Sequence, residues 1–125
     1  MERKFIEYFT GLQRNFGFAD LTKNIKDPTT GKLKPEYGWS KQPITDEDYT
    51  DHLNGNKSIG IQPCDDEGMV SFGAIDIDDK EHSYSNFPYK KYLDIIKTNN
   101  LPLIPVKSKS GGLHLYLFLK IYSIE

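Results

Sequence analysis

The ten residues from Met69 to Asp78, MVSFGAIDID, run through apolar and aromatic side chains into two aspartates and read as a β-strand. A strand period of two puts Phe72, Ala74, Asp76 and Asp78 on one face and Gly73, Ile75 and Ile77 on the other. This strand is expected to lie at the centre of its sheet. Upstream, Ser58 to Gln62 reads as a shorter strand, and Asp65-Asp66-Glu67-Gly68 as a turn that would fold the two into a hairpin. Downstream, Ser85 to Lys97 carries Pro88 in its first turn and Tyr92, Leu93 and Ile96 at helical spacing, with a stop at Asn99-Asn100. Leu103 to Lys107 and Leu113 to Ile121 read as two further strands around Lys109-Ser110-Gly111-Gly112.

Nearer the N-terminus, Phe5, Ile6, Phe9 and Leu12 recur at helical spacing and predict an amphipathic helix over 2–15 that ends near Gly17. Lys23 to Gln42 is rich in Lys, Pro, Gly, Thr and Asp and is broken by Asp27-Pro28 and Gly31, which predicts a long loop. Thr45 followed by Asp48 has the form of a capping box with an acidic third position, opening a helix through Leu53 that stops at Asn54-Gly55. Helix, loop, helix, hairpin, helix, hairpin predicts an α+β fold, an α/β sandwich in which an antiparallel-rich sheet is covered by helices.

At 125 residues the chain has room for a single domain, and 37% hydrophobic with 13% aromatic residues supplies a core that excludes disorder as the main state. Mean hydropathy is -0.60 and no apolar run approaches a membrane span; the start, MERKFIEYFTGLQRNFGF, mixes charge into every turn. A cytoplasmic protein is expected. The lone cysteine, Cys64, excludes an internal disulfide and a cysteine-built zinc site, and reads as a structural thiol. A net charge of -2 gives no global attraction to nucleic acid. Acids nonetheless gather at 46–51 and 65–81, while Lys90, Lys91, Lys97, Lys107, Lys109 and Lys120 load the last third with positive charge.

Two constellations carry chemistry. The Cα atoms of Asp76 and Asp78 would lie ~6.6 Å apart on one strand face, close enough for both carboxylates to meet one or two divalent cations. Their mutual repulsion is relieved by such an ion. A solvated strand end that caps the following turn accounts for the same residues. Asp79 is expected to face the opposite way, into solvent. The second constellation is VKSKSGGLHLYLFLK, in which Lys107, Lys109, Ser110 and His114 supply donors and Gly111 and Gly112 permit close backbone approach, as a triphosphate cradle requires. Taken alone, the turn is better explained as a tight hairpin with a half-buried histidine. The combination favours chemistry, because metal ligands on one strand and anion donors on another are the two parts that phosphoryl transfer needs. Tyr37 and Trp39, in the basic stretch KLKPEYGWSK, and Arg14 are candidate nucleic-acid contacts, against the alternatives of a loop anchor and a solvated helix residue.

These residues resemble the archaeo-eukaryotic primase superfamily of primase-polymerases, especially its phage and mobile-element branch related to the primases of TOTE conflict systems. FGAIDID resembles the family's first motif, an acid-x-acid metal pair after hydrophobic residues, and VKSKSGGLHLYLFL its second, a Ser and a His that bind the incoming nucleotide. PITDEDYTDHLNGNKSIGIQP is similar to the region before the first motif. The resemblance implies that Asp76 and Asp78 hold catalytic Mg²⁺ or Mn²⁺ and that Ser110 and His114 contact nucleotide phosphates, with Lys107 and Lys109 added on grounds of charge. It implies a DNA primase or polymerase acting in replication on a DNA template and primer with nucleoside triphosphates. A third acid follows the histidine strand in the family, whereas here the sequence stops after Ile121-Tyr122-Ser123-Ile124-Glu125. Residues 1–125 are therefore expected to be a catalytic domain incomplete at its C-terminus, completed by a further domain, a helicase or another partner. The alternatives are a non-catalytic nucleotide- or nucleic-acid-binding half-domain and a metal-dependent nuclease.

Overall fold

Two antiparallel sheets of three strands each and three helices make up the computed structural model, which describes residues 2–78 and 86–119. The fold is α+β. The chain divides into two compact units, Met1–Ser71 and Phe72–Glu125. No helix among the described residues is long and apolar enough to cross a membrane.

The first unit contains α1 (Glu2–Tyr8), β1 (Gly17–Lys26), β2 (Leu33–Trp39), α2 (Asp46–Leu53) and β3 (Lys57–Gly60), with strand order β2-β1-β3. The first helix is shorter than its apolar spacing predicts, because the backbone beyond Thr10 bonds across the unit instead of along the helix. Leu12 N–H donates to the Gln62 carbonyl, and the Gln13 and Phe16 carbonyls accept from Ile44 and Ser40. Those bonds place Leu12 and Phe16 in buried positions. Phe16, Ile44 and Tyr49 form the core, flanked by Phe5, Ile6, Phe18, Ile59 and Ile61.

The predicted loop over 23–42 is instead the second half of β1, a tight turn and β2. Asp27 and Gly31, read as breakers, build the turn: the Asp27 carboxylate accepts from the Thr29 and Thr30 amides, and Gly31 takes φ 68°. A register shift between Asp20 and Asn24 disrupts the period of two. The capping box forms as predicted, with Thr45 and Asp48 each accepting from the other's backbone amide, and Asp48 also receives Lys57 Nζ at 2.7 Å.

The second unit contains β4 (Phe72–Ile77), α3 (Tyr89–Thr98), β5 (Ile104–Lys107) and β6 (Leu113–Phe118), with strand order β4-β6-β5. Two expectations are corrected. The strand beginning at Phe72 is at the sheet edge among the described residues, with β6 central, and it pairs with β6 while β3 pairs with β1. Only an isolated bridge, Cys64 with Val70, joins the two flanks of the acidic turn, and Cys64 is exposed. Leu113 and Leu115 of β6 pack with Phe87, and around them stand Ile77, Tyr89, Tyr92, Ile96 and Leu103. Leu93, expected on the same helix face, is exposed. The predicted ends at Ser85 and Ile121, and Asp79, Lys120 and Glu125, lie outside the described residues.

Lys34 beside Asp27, helped by the Thr30 and Thr29 amides, lowers that carboxyl from 3.8 to about 2. A carboxylate depressed in the folded state adds stability that is complete above its ordinary value and is lost as pH falls through about 2. The Thr29 and Thr30 amides are thus expected to lose exchange protection on acidification from pH ~4 to ~2, and Asp27→Asn to abolish that pH dependence.

Candidate functional site

The antiparallel register of β4 on β6 fixes what shares a face. Phe72 lies opposite Phe118, Ala74 opposite Tyr116 and Asp76 opposite His114, while Ile75 and Ile77 lie opposite Leu115 and Leu113. The leucine side is covered by residues of α3 and its flanks. The other side carries the polar groups. His114 Nε2 comes to 3.3 Å from Asp76 Oδ1, with the histidine side chain 36% and the aspartate 61% exposed.

Tyr116, two residues along β6 on the same face, brings its hydroxyl to 3.4 Å from His114 Nδ1. Burial, and next the charge of Asp76, raise the Tyr116 phenol above its ordinary value, so it stays protonated at neutral pH. In the tautomer in which Nδ1 accepts from the phenol O–H, the proton of the neutral imidazole is on Nε2, facing Asp76. Its ring also stacks on Phe118, 6.0 Å between centroids. Tyr116 was not singled out from the sequence, although the alternation that places His114 places it too.

Asp78 follows the last residue of β4, and Gly112 precedes the first of β6. A Cβ at Gly112 would lie 2.6 Å from the Ile77 carbonyl oxygen, 3.1 Å from Asp78 Oδ1 and 3.3 Å from Ser108 Oγ. Glycine is required here for close approach, and the space it leaves is bordered by the second carboxylate. Ser108, which the sequence reading passed over, is buried, and its hydroxyl lies 3.2 Å from that of Ser110. Gly111 adopts φ 99° and its N–H donates to the Ser108 carbonyl, so this amide is used inside the turn. The Tyr89 hydroxyl, at the start of α3, donates to the Gly111 carbonyl; nothing in the local sequence signals that latch.

Lys109 and Ser110 are exposed in the turn. Lys107 Nζ lies over the Tyr89 ring, 5.7 Å from its centroid, on the side of the sheet that α3 residues cover. In the first unit, exposed Arg14 pairs with Asp66 at 2.8 Å, and Tyr37 and Trp39 stand exposed on β2.

Two exposed carboxylates are a hard-oxygen donor set, and Mg²⁺ is commonly held by one or two carboxylates together with waters and substrate phosphates. Asp76 and Asp78 fit that role. Among the described residues no group of three or more His, Cys, Asp or Glu side chains is set to hold a metal.

Comparison with known families matches residues 13–122 to the archaeo-eukaryotic primase domain of TOTE conflict systems. No curated protein matches the chain.

Gly112→Ala is expected to destabilise the second unit by about 1–3 kcal/mol through overpacking against Ile77. Gly73→Ala in β4, where a Cβ meets nothing within 4 Å, is the matched control and should be neutral. Denaturant unfolding of both variants checks this.

Proposed function

The chain belongs to the archaeo-eukaryotic primase family, whose members are primase-like nucleotidyltransferases, and from that membership we propose that it serves template-directed nucleotide addition. The substrates are nucleoside triphosphates and a DNA template and primer. The observation that carries the reading is the cross-strand pair of Asp76 and His114 on an open sheet face, with Asp78 beside Gly112 at its end.

In the proposed reaction a primer 3′-hydroxyl attacks the α-phosphorus of the triphosphate; its O–H bond breaks with the proton passing to solvent, one P–O bond forms, another breaks and pyrophosphate leaves. Mg²⁺ or Mn²⁺ held by Asp76 and Asp78 would, when bound, supply positive charge to the reacting phosphates. The chain's own part is positioning. His114 offers Nε2–H to a phosphate oxygen from the same face as the carboxylates, with Tyr116 holding the other ring nitrogen. Ser110 and Lys109 offer a hydroxyl and an ammonium from the turn, while Tyr89 holds that turn through the Gly111 carbonyl. Lys107, drawn over Tyr89, supports the turn from behind. The proposal includes a third acidic ligand from outside the described residues, on a C-terminal segment or a partner such as a helicase-linked domain.

Mn²⁺-dependent binding of a deoxynucleoside triphosphate to the chain tests the reading. Asp78→Asn and His114→Ala are each expected to weaken it by about tenfold or more, equivalent to ~1.4 kcal/mol, with the circular dichroism spectrum unchanged. Equal affinity in both variants and the parent overturns it.

A further inference from the structure

A second surface stands on the first unit. On the face of its sheet opposite the Phe18 and Ile59 side, β2 presents Tyr37 and Trp39 on alternate residues, 70% and 67% exposed. Across from them the register places only small residues. Ala19 and Ser58 lie in the row of Tyr37, and Gly17 and Gly60 in the row of Trp39. These six residues, together with the intervening Phe18, Gly38 and Ile59, line a groove of about 410 Å³. The Trp39 ring edge comes to 3.9 Å from where a Gly17 Cβ would stand, so the ring lies low over a floor with no side chain to lift it. Two rings on alternate residues of one strand have Cα atoms ~6.6–7 Å apart. That is about twice the ~3.4 Å rise of stacked bases.

The charge around the groove selects its occupant. The hairpin and the residue just past it carry Lys23, Lys26, Lys32, Lys34 and Lys41 against Asp20, Asp27 and Glu36. Every one of those acids is held by a lysine of the same hairpin, Asp20 and Glu36 by Lys23 and Asp27 by Lys34. Lys26, Lys32 and Lys41 have no ion-pair partner among the described residues. Lys26 and Lys32 stand at the turn end of the hairpin, and Lys41 just beyond Trp39. Exposed aromatic rings with unpaired cations at both ends match a polyanion that presents flat, unpaired rings.

We propose that Tyr37 and Trp39 form a stacking shelf for the unpaired bases of single-stranded nucleic acid. The geometry belongs to the first unit alone; the inference rests on the template-directed reading only for the strand's role as template.

Trp39 is the sole tryptophan, so its emission reports directly on the shelf. The full chain is titrated with a short oligodeoxythymidylate in EDTA and low salt, where nucleotide addition does not operate. Saturable quenching is expected, with an abasic strand of equal length giving little. By polarisation of a labelled strand, Tyr37→Ala and Trp39→Ala should each weaken binding by about tenfold, and Trp39→Phe should restore part of the loss. Asp78→Asn should bind the strand as the parent does, which separates failure of the shelf from failure of the nucleotidyltransferase reading. Absence of quenching, equal quenching by the abasic strand, or undiminished affinity in both alanine variants overturns the proposal. So does an emission change that tracks protein concentration with no strand present, since a second copy then covers the shelf.

Discussion

The register between β4 and β6 is the constraint on which the candidate site depends. Side chains alternate along a strand, so a slip of one residue would send Asp76 to the leucine side and bring Ile75 or Ile77 opposite His114. The buried side prevents it. Leu113, Leu115 and Ile77 are packed with Phe87 and its neighbours, and a one-residue slip would uncover these apolar groups. The polar face is thereby set by residues that never touch it. Apolar packing on one side of a pleated sheet decides which carboxylate meets which imidazole on the other.

The Ser-Gly-Gly turn is held in a similar way. Its glycines meet two different demands, a left-handed backbone at Gly111 and close approach to Ile77 at Gly112. The hydroxyl of Tyr89 reaches the turn from α3. A single helix thus covers the hydrophobic side of the sheet and anchors the loop at its end. The tyrosine that stands in this apolar cluster also fixes the segment that carries Ser110.

Much of the second unit was legible because its signals are local. The α3 periodicity, the asparagine stop, the β5–β6 hairpin and the placing of Asp76 and His114 in their strands all follow from spacing within about ten residues. What failed was long-range or depended on competition. Nothing local says that β3 pairs with β1 instead of β4, or that β6 takes the centre, since both depend on which apolar surfaces remain to be covered. The first helix stopped early because backbone bonds at Leu12, Gln13 and Phe16 to other segments of the first unit outcompeted its continuation. The β1–β2 hairpin was hidden by its register shift and by lysine, threonine and asparagine at positions where a strand is usually recognised by its branched side chains. In the candidate site, Ser108 and Tyr89 matter through burial and a backbone contact that motif spacing does not encode.

The edge position of β4 among the described residues bears on how the second unit assembles. β5 and β6 are joined by a short turn and can pair early, whereas Phe72 meets Phe118 only after α3 and the β5–β6 turn have been closed into a loop. Loop closure of that kind is slow and comes at an entropic disadvantage. By contact order the carboxylate strand is expected to dock after the hairpin that carries the histidine has formed. Any ligand that bridges the two strands would favour the docked state by mass action, so that occupancy of the site and completion of the sheet become one equilibrium.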